Sequence, residues 1–320
     1  MAEQYSPSPL QAPPSEPIRY IKRLEIAGLW DRFDITWELK PDVNVLAGIN
    51  GSGKSTILGC MYELITMGTT IGGKSDRYIL MAKKIEFLFD NGQIIKFLST
   101  KDKGETTVVL WRDSIADYIF DTHCIDLIST FDTDLKPAEA IQKLSDGRVS
   151  TELDWQIHLL QIQYLDYQLN ISRKKDALME NGADNIPERW QTIKYPQNRF
   201  LAIIDEAFAE TGKKVNRAKN QIEFLAEEKE LNAYQLSSGE KQLLIILLTV
   251  LVQDNKPSIL LMDEPEISLH IDWQRKLISH IRELNPNVQI IIASHSPAII
   301  MEGWLDKVVE ISDITAPQAG

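Results

Sequence analysis

One stretch constrains the fold of this 320-residue chain more than any other: Gly48-Ile49-Asn50-Gly51-Ser52-Gly53-Lys54-Ser55-Thr56. It fits G-x-x-x-x-G-K-[ST], and its surroundings are those the pattern requires. Val43 to Ala47 is a short apolar run that reads as a buried strand, and Ile57 to Ile65 reads as a helix. Between them, glycines let the backbone turn tightly enough for successive N–H groups to face one point. The helix start adds partial positive charge at the same place. A plain glycine turn has no use for Lys-Ser at this point. In a phosphate-binding loop both have one: Lys54 reaches the β- and γ-phosphates, and the Ser55 hydroxyl ligates Mg2+.

Three further segments bear on the same chemistry. Leu236-Ser237-Ser238-Gly239-Glu240-Lys241-Gln242 precedes an apolar helix, Leu243 to Leu251. Ser and Gly there are either an ordinary N-cap or a second anion site, in which a hydroxyl and free N–H groups face phosphate. Ser258 to Met262 is a buried strand that runs into Asp263-Glu264. Two carboxylates at that point are costly unless a cation sits beside them. Asp263 would hold Mg2+ through water, and Glu264 would be the general base that activates the attacking water. Gln289 to Ser294 is another buried strand, and it ends at His295, placed at the edge of the nucleotide site within reach of a γ-phosphate.

Taken in order, the phosphate loop, the Leu-Ser-Ser-Gly-Glu segment, Met262-Asp263-Glu264-Pro265, Ser268-Leu269-His270 and the strand-end His295 resemble an ABC-type ATPase head. The opening strands around Ile26 and Phe33, the Gly-Ile-Asn-Gly loop and Ser294-His295-Ser296-Pro297 are similar to the RecF/SMC/OLD-like branch, which includes small ATPases of bacterial anti-phage systems. The resemblance implies an α/β P-loop NTPase fold with a mixed main sheet, an antiparallel β subsheet and an inserted helical lobe. It implies ATP and Mg2+ as cofactors, with each ATP held between two subunits of a homodimer or higher oligomer. One subunit contributes Asn50, Gly51, Ser52, Gly53, Lys54, Ser55 and Thr56, with Ser55 and Asp263 on the metal and Lys54, Glu264 and His295 catalytic. The other contributes Ser237 and Gly239, and Glu240 beside them is counted among the nucleotide-binding residues. The chain departs from the branch by lacking long coiled coils and a Cys-x-x-Cys hook. The 25 residues after His295 are too few for an OLD nuclease domain. Output beyond hydrolysis is therefore expected in a separate effector, a nuclease or toxin, with DNA or RNA contact left open. The alternative is the motor subunit of a membrane ABC transporter. The family's Q-loop glutamine is not assigned among Gln142, Gln161 and Gln163.

The remainder of the chain sets the frame. Residues 1–17 carry five prolines and read as a disordered arm before an ATPase domain over 18–320. Strands Lys84–Phe89 and Gln93–Leu98 flank Asp90-Asn91-Gly92, a hairpin signal, and with Thr106–Trp111 they make an antiparallel subsheet over 84–111. Cys124–Thr130 reads as a return strand to the main sheet. Leu153, Ile157, Leu160, Tyr164, Tyr167 and Ile171 recur at helical spacing, and Asn198–Ala209 reads as a second helix, so 151–211 is expected to be a helical insertion. A net charge of -12 argues against nonspecific DNA binding through a general basic surface. Two distant cysteines, and no apolar run of about 18 residues, point to a cytoplasmic protein with no membrane span.

Overall fold

The computed structural model describes residues 17–66, 78–102, 105–112, 125–129, 149–180, 184–227 and 229–318. Residues 1–16 of the expected arm lie outside them. Two sheets organise the chain. The first is antiparallel and begins with β1 (Ile21–Leu29) and β2 (Phe33–Glu38). The second begins with β3 (Val43–Ala47), which is buried at every position and leads through the glycine loop into α1 (Lys54–Thr66). The chain then returns to the first sheet as β4 (Lys84–Phe89), β5 (Ile94–Asp102) and β6 (Glu105–Arg112), and crosses to the second as β7 (Ile125–Ser129).

Two long helices follow, α2 (Glu152–Glu180) and α3 (Ile186–Ala207). The second starts twelve residues earlier than the expected Asn198 and carries the buried Pro196 inside it. Its early turns face solvent with mostly polar side chains, so periodicity there is faint. A three-stranded antiparallel sheet comes next, from β8 (Lys213–Val215), β9 (Glu223–Ala226) and β10 (Lys229–Asn232). Then come α4 (Ser238–Val252), β11 (Ser258–Asp263), α5 (Ile271–Leu284), β12 (Val288–Ala293), the short α6 (Pro297–Met301), β13 (Val308–Glu310), α7 (Ile311–Ile314) and β14 (Thr315–Pro317).

The main sheet has the order β13-β3-β12-β11-β7, and each of its described pairings is parallel. The mixed character expected of the fold therefore lies between sheets rather than within the main one. β11 and β12 are buried throughout, as parallel strands covered on both faces must be. The other sheet has the order β14-β2-β1-β4-β5-β6, so the expected 84–111 subsheet continues into β1 and β2. Its β1–β2 register pairs Leu24 with Trp37 and Ile26 with Ile35, all buried.

The core has two parts, one on each face of the parallel sheet. α1 lies in the first: its Ile57, Met61 and Leu64 share a cluster with Ile26 and Phe87 of the antiparallel sheet and with Leu261 and Ile291 of the parallel one. The opposite faces of β11 and β12, with Met262 and Ile292, join α2 to α5 through residues such as Ile157, Phe200, Leu247 and Ile278. Full burial of each such side chain is worth about 1.5–3 kcal/mol. The helices of 151–211 thus share one core with the sheet. Buried Gln289 fastens the two sheets together: its Oε1 accepts from the Ile21 N–H (2.9 Å), and its Nε2 donates to the carbonyls of Ile21 (2.8 Å) and Lys40 (2.9 Å).

Candidate active site

The carboxyl ends of β3, β11 and β12 meet at one edge of the parallel sheet, and each delivers a chemically active loop there. After β3, Gly48, Gly51 and Gly53 all take positive φ, 151°, 78° and 105°. At Gly53 the space is also closed, because a Cβ would lie 2.5 Å from the Trp30 ring. Trp30 stands in the β1–β2 turn, so the antiparallel sheet backs the glycine loop. Lys54 opens α1, is almost fully buried and curls back over the loop, donating to the carbonyls of Gly48 (3.0 Å) and Ile49 (3.3 Å). Its ammonium also reaches His295 Nε2 at 2.5 Å. Burial lowers the Lys54 pKa, against the opposing pull of Glu264, Asp263, Glu266 and Glu310.

β11 ends in Asp263, whose Oδ1 accepts from the Ser55 hydroxyl at 3.0 Å. Desolvation raises the Asp263 pKa. The Ser55 bond and Lys54 oppose this, and the neighbouring carboxylates of Glu264 and Glu266 add to it. A pair of hard oxygen donors, one half-buried and one buried, beside crowded carboxylates suits a small divalent cation, so Ser55 and Asp263 fit Mg2+. Glu264 follows with φ 46°, a left-handed conformation rare for a side chain of this kind and costing on the order of 1 kcal/mol. Its N–H is tied to the Ala293 carbonyl of β12 (2.8 Å), and its Oε1 lies 3.5 Å from His295 Nε2. The strained backbone turns the carboxylate towards the loop after β12.

That loop is held by a residue that sequence reasoning passed over. Glu266 Oε1 accepts from the Ser294 hydroxyl (2.7 Å) and from the N–H groups of His295 (2.9 Å) and Ser296 (3.2 Å). Gln274 of α5 extends the network: its Nε2 donates to the Glu266 and Leu269 carbonyls, and its Oε1 accepts from the Ser296 hydroxyl at 2.7 Å. His295 and the Ser268-Leu269-His270 turn are therefore carried on one hydrogen-bonded frame. The available signal was a second acid two residues past Glu264.

Of the remaining expected residues, Asn50, Gly51, Ser52 and Thr56 lie in the glycine loop and the first turn of α1. Ser237, Gly239 and Glu240 form a second cluster, and among the described residues none of them hydrogen-bonds to the glycine loop. Ser237 caps α4, with its hydroxyl and N–H both on Glu240 Oε2 (2.9 Å each). Glu240 is buried, and its Oε1 takes Lys213 Nζ (2.8 Å) and the Thr211 hydroxyl (3.0 Å). Burial alone would raise its pKa, but Lys213 and Ser237 hold it below the ordinary range. A Cβ on Gly239 would lie 2.3 Å from the Ser268 carbonyl oxygen, so this position needs glycine for close packing. Next door, Lys241 Nζ pairs with buried Asp154 at 2.7 Å. Gln161 brackets Ile222 with two 2.8 Å bonds, while Gln142 lies outside the described residues.

Residues 43–302 match the family described as "AAA domain, putative AbiEii toxin, Type IV TA system". The chain belongs to this family. Among curated relatives, the Septu protein PtuA of Bacillus thuringiensis is 21% identical over 91% of this chain and 75% of its own length. The Retron Ec83 probable ATPase of Escherichia coli is 31% identical, but only over 22% of this chain and 15% of its own. The fold is shared with a solved Smc head bound to the C-winged helix domain of ScpA, with TM-score 0.54, 17% identity and coverage of 91% of this chain and 93% of that one. The fold of this AAA-family chain is thus an SMC-head-like P-loop ATPase fold. Among the described residues, no helix is long and apolar enough to cross a membrane.

Proposed function

We propose that this chain binds ATP with Mg2+ and hydrolyses it in a site shared by two copies, and that it passes the resulting change of state to a separate effector in anti-phage defence. The observation that carries the reading is the convergence of Lys54, Ser55, Asp263, Glu264 and His295 at one sheet edge. Lys54 would draw charge from the β- and γ-phosphates, and Ser55 and Asp263 would hold the metal. Glu264 would take a proton from the attacking water, and His295 would contact the γ-phosphate. The names of the Septu and retron relatives support the defence setting.

Pairing of two copies has its own support. The site edge is ringed by apolar side chains that single subunits normally cover. Ile49 is 81% exposed, Met301 69% and Leu305 68%, and they line a groove of about 440 Å³ beside His295. Among the described residues, Ser237 and Gly239 make no hydrogen bond to their own glycine loop, which leaves them available to a second copy. For the effector, α2 offers an apolar outer stripe in Leu159, Ile162 and Leu169.

The reading is tested by titrating labelled ATP with Mg2+ against the chain and its Lys54→Ala variant. Loss of at least tenfold in affinity is expected. Equal affinity in the two proteins would remove the nucleotide site.

A further inference from the structure

A cavity of about 540 Å³ lies between α2, α3 and the loop joining β8 to β9, on residues the ATP site does not use. Its size is that of a small-molecule site, for which about 300–1,000 Å³ is usual. The chain carries a net charge of -12, yet among the described residues this cavity is lined by four cations and no carboxylate. Arg217 and Lys219 are braced from outside: Arg217 by Asp205 at 2.6 Å, and Lys219 by Glu230 at 3.3 Å and Glu223 at 3.6 Å. Lys175 and Lys194 have no carboxylate partner among the described residues. Both ammonium groups stand 5.3 Å from the centre of the Trp190 ring, which packs on the helical core with one part and faces the cavity with another. The ring attracts both ammonium groups but neutralises neither, and an anion at the cavity would supply the opposite charge that both lack.

The rest of the lining narrows the anion's chemistry. The side chains of Asn198 and Gln221 make no hydrogen bond among the described residues, and each offers both donors and acceptors to the cavity. Cations, an aromatic face and unbonded amides together match phosphate, a flat base and its polar edge. An acidic peptide would use the cations and leave the ring and amides idle.

We infer that this cavity binds a nucleoside monophosphate unit, either free or within a single strand, with the phosphate on Lys175 and Lys194 and the base on Trp190. The site is independent of the ATP site proposed above. The test is fluorescence anisotropy of a fluorescein-labelled ten-nucleotide dT strand against the full-length chain, without ATP or Mg2+. The Lys175→Glu/Lys194→Glu double variant is expected to bind at least tenfold more weakly and with a shallower salt dependence. Trp190→Ala is expected to lose about tenfold, and Trp190→Phe to retain most of the affinity. ATP binding, followed alongside, should not change in these variants, which also reports that they remain folded. Displacement of the strand by thymidine monophosphate identifies a free nucleotide as sufficient; displacement by longer strands alone identifies a strand site. Either result supports the inference. It is overturned if the wild-type chain binds an all-glutamate decapeptide as tightly as the strand, or if both the lysine pair and Trp190→Ala leave strand affinity unchanged.

Discussion

Two clusters of charge in this chain are built on opposite terms. At the carboxyl end of the parallel sheet, ionisable groups are crowded against their preferences. Burial lowers the pKa of Lys54 and raises that of Asp263, while Glu264 holds a left-handed backbone angle. At the start of α4 the opposite holds. Glu240 and Asp154 are both buried, and both are kept below the ordinary carboxylate range by lysines that overcome the cost of burial. On the proposed function, the first cluster awaits groups that arrive with the nucleotide. The second is closed within the subunit and fixes a helix start, with exposed Ser237 and Ser238 at its rim. Polar groups at a site are left under strain where a ligand completes them, and are satisfied internally where rigidity is the purpose.

The largest effect should come from the strained cluster. Glu264→Gln keeps the shape of the side chain and removes the proton acceptor, so ATP turnover should fall by about 10²–10⁴-fold while ATP binding persists. Phosphate release and ATP titration together check this, and unchanged turnover would exclude Glu264 as the base. In the satisfied cluster the expected loss is of stability. Glu240→Ala strands Lys213 and uncaps α4, and denaturant unfolding should report a loss of about 3 kcal/mol. The folded-state pKa of Glu240 is depressed, so its contribution is present above the unfolded value of 4.5 and lost as pH falls through the folded value. The difference between wild type and Glu240→Ala should therefore shrink in acid.

Glu266→Gln should act on the frame beneath His295 and reduce turnover by about tenfold, an effect typical of groups that orient others, with the ATP dissociation constant little altered. A matching fall in ATP affinity would move Glu266 from positioning His295 to shaping the nucleotide pocket. The smallest change in stability sharpens the contrast most. Asp263→Asn should raise stability by on the order of 1 kcal/mol at neutral pH while abolishing metal-dependent turnover. Here the folded-state pKa is raised, so the ionised carboxylate costs stability above that value and costs none below the unfolded value of 3.8. The gain should vanish in acid, and a destabilised variant at neutral pH would place Asp263 with the satisfied cluster.

How far each part could be read from sequence follows from the range of its interactions. Lys54, Ser55, Asp263, Glu264 and His295 were legible because each ends or follows a fully buried strand, and such runs are visible as local apolar blocks. Glu266 was not, because its three bonds reach residues 28 to 30 positions away. Trp30 escaped for the same reason: its contact is the backbone at Gly53, across two strands. The parallel sheet and α1 were readable from apolar runs, whereas β8, β13 and β14 span three residues each and carry no period of their own. The early start of α3 was missed although Pro187 in its first turn is a start signal, because its exposed turns lack an apolar stripe.

The central claim is that the strained edge of one subunit is completed by the satisfied helix start of another. Mixing two inactive variants tests it. Lys54→Ala lacks the phosphate lysine, and Ser237→Arg places a bulky cation where a small hydroxyl should approach. In the mixed dimer, one site joins the intact loop of the Ser237 variant to the intact helix start of the Lys54 variant. The expected result is recovery of part of the ATPase activity that neither variant shows alone. A mixture that stays inactive, although native mass measurement shows the heterodimer with ATP present, would contradict the shared site.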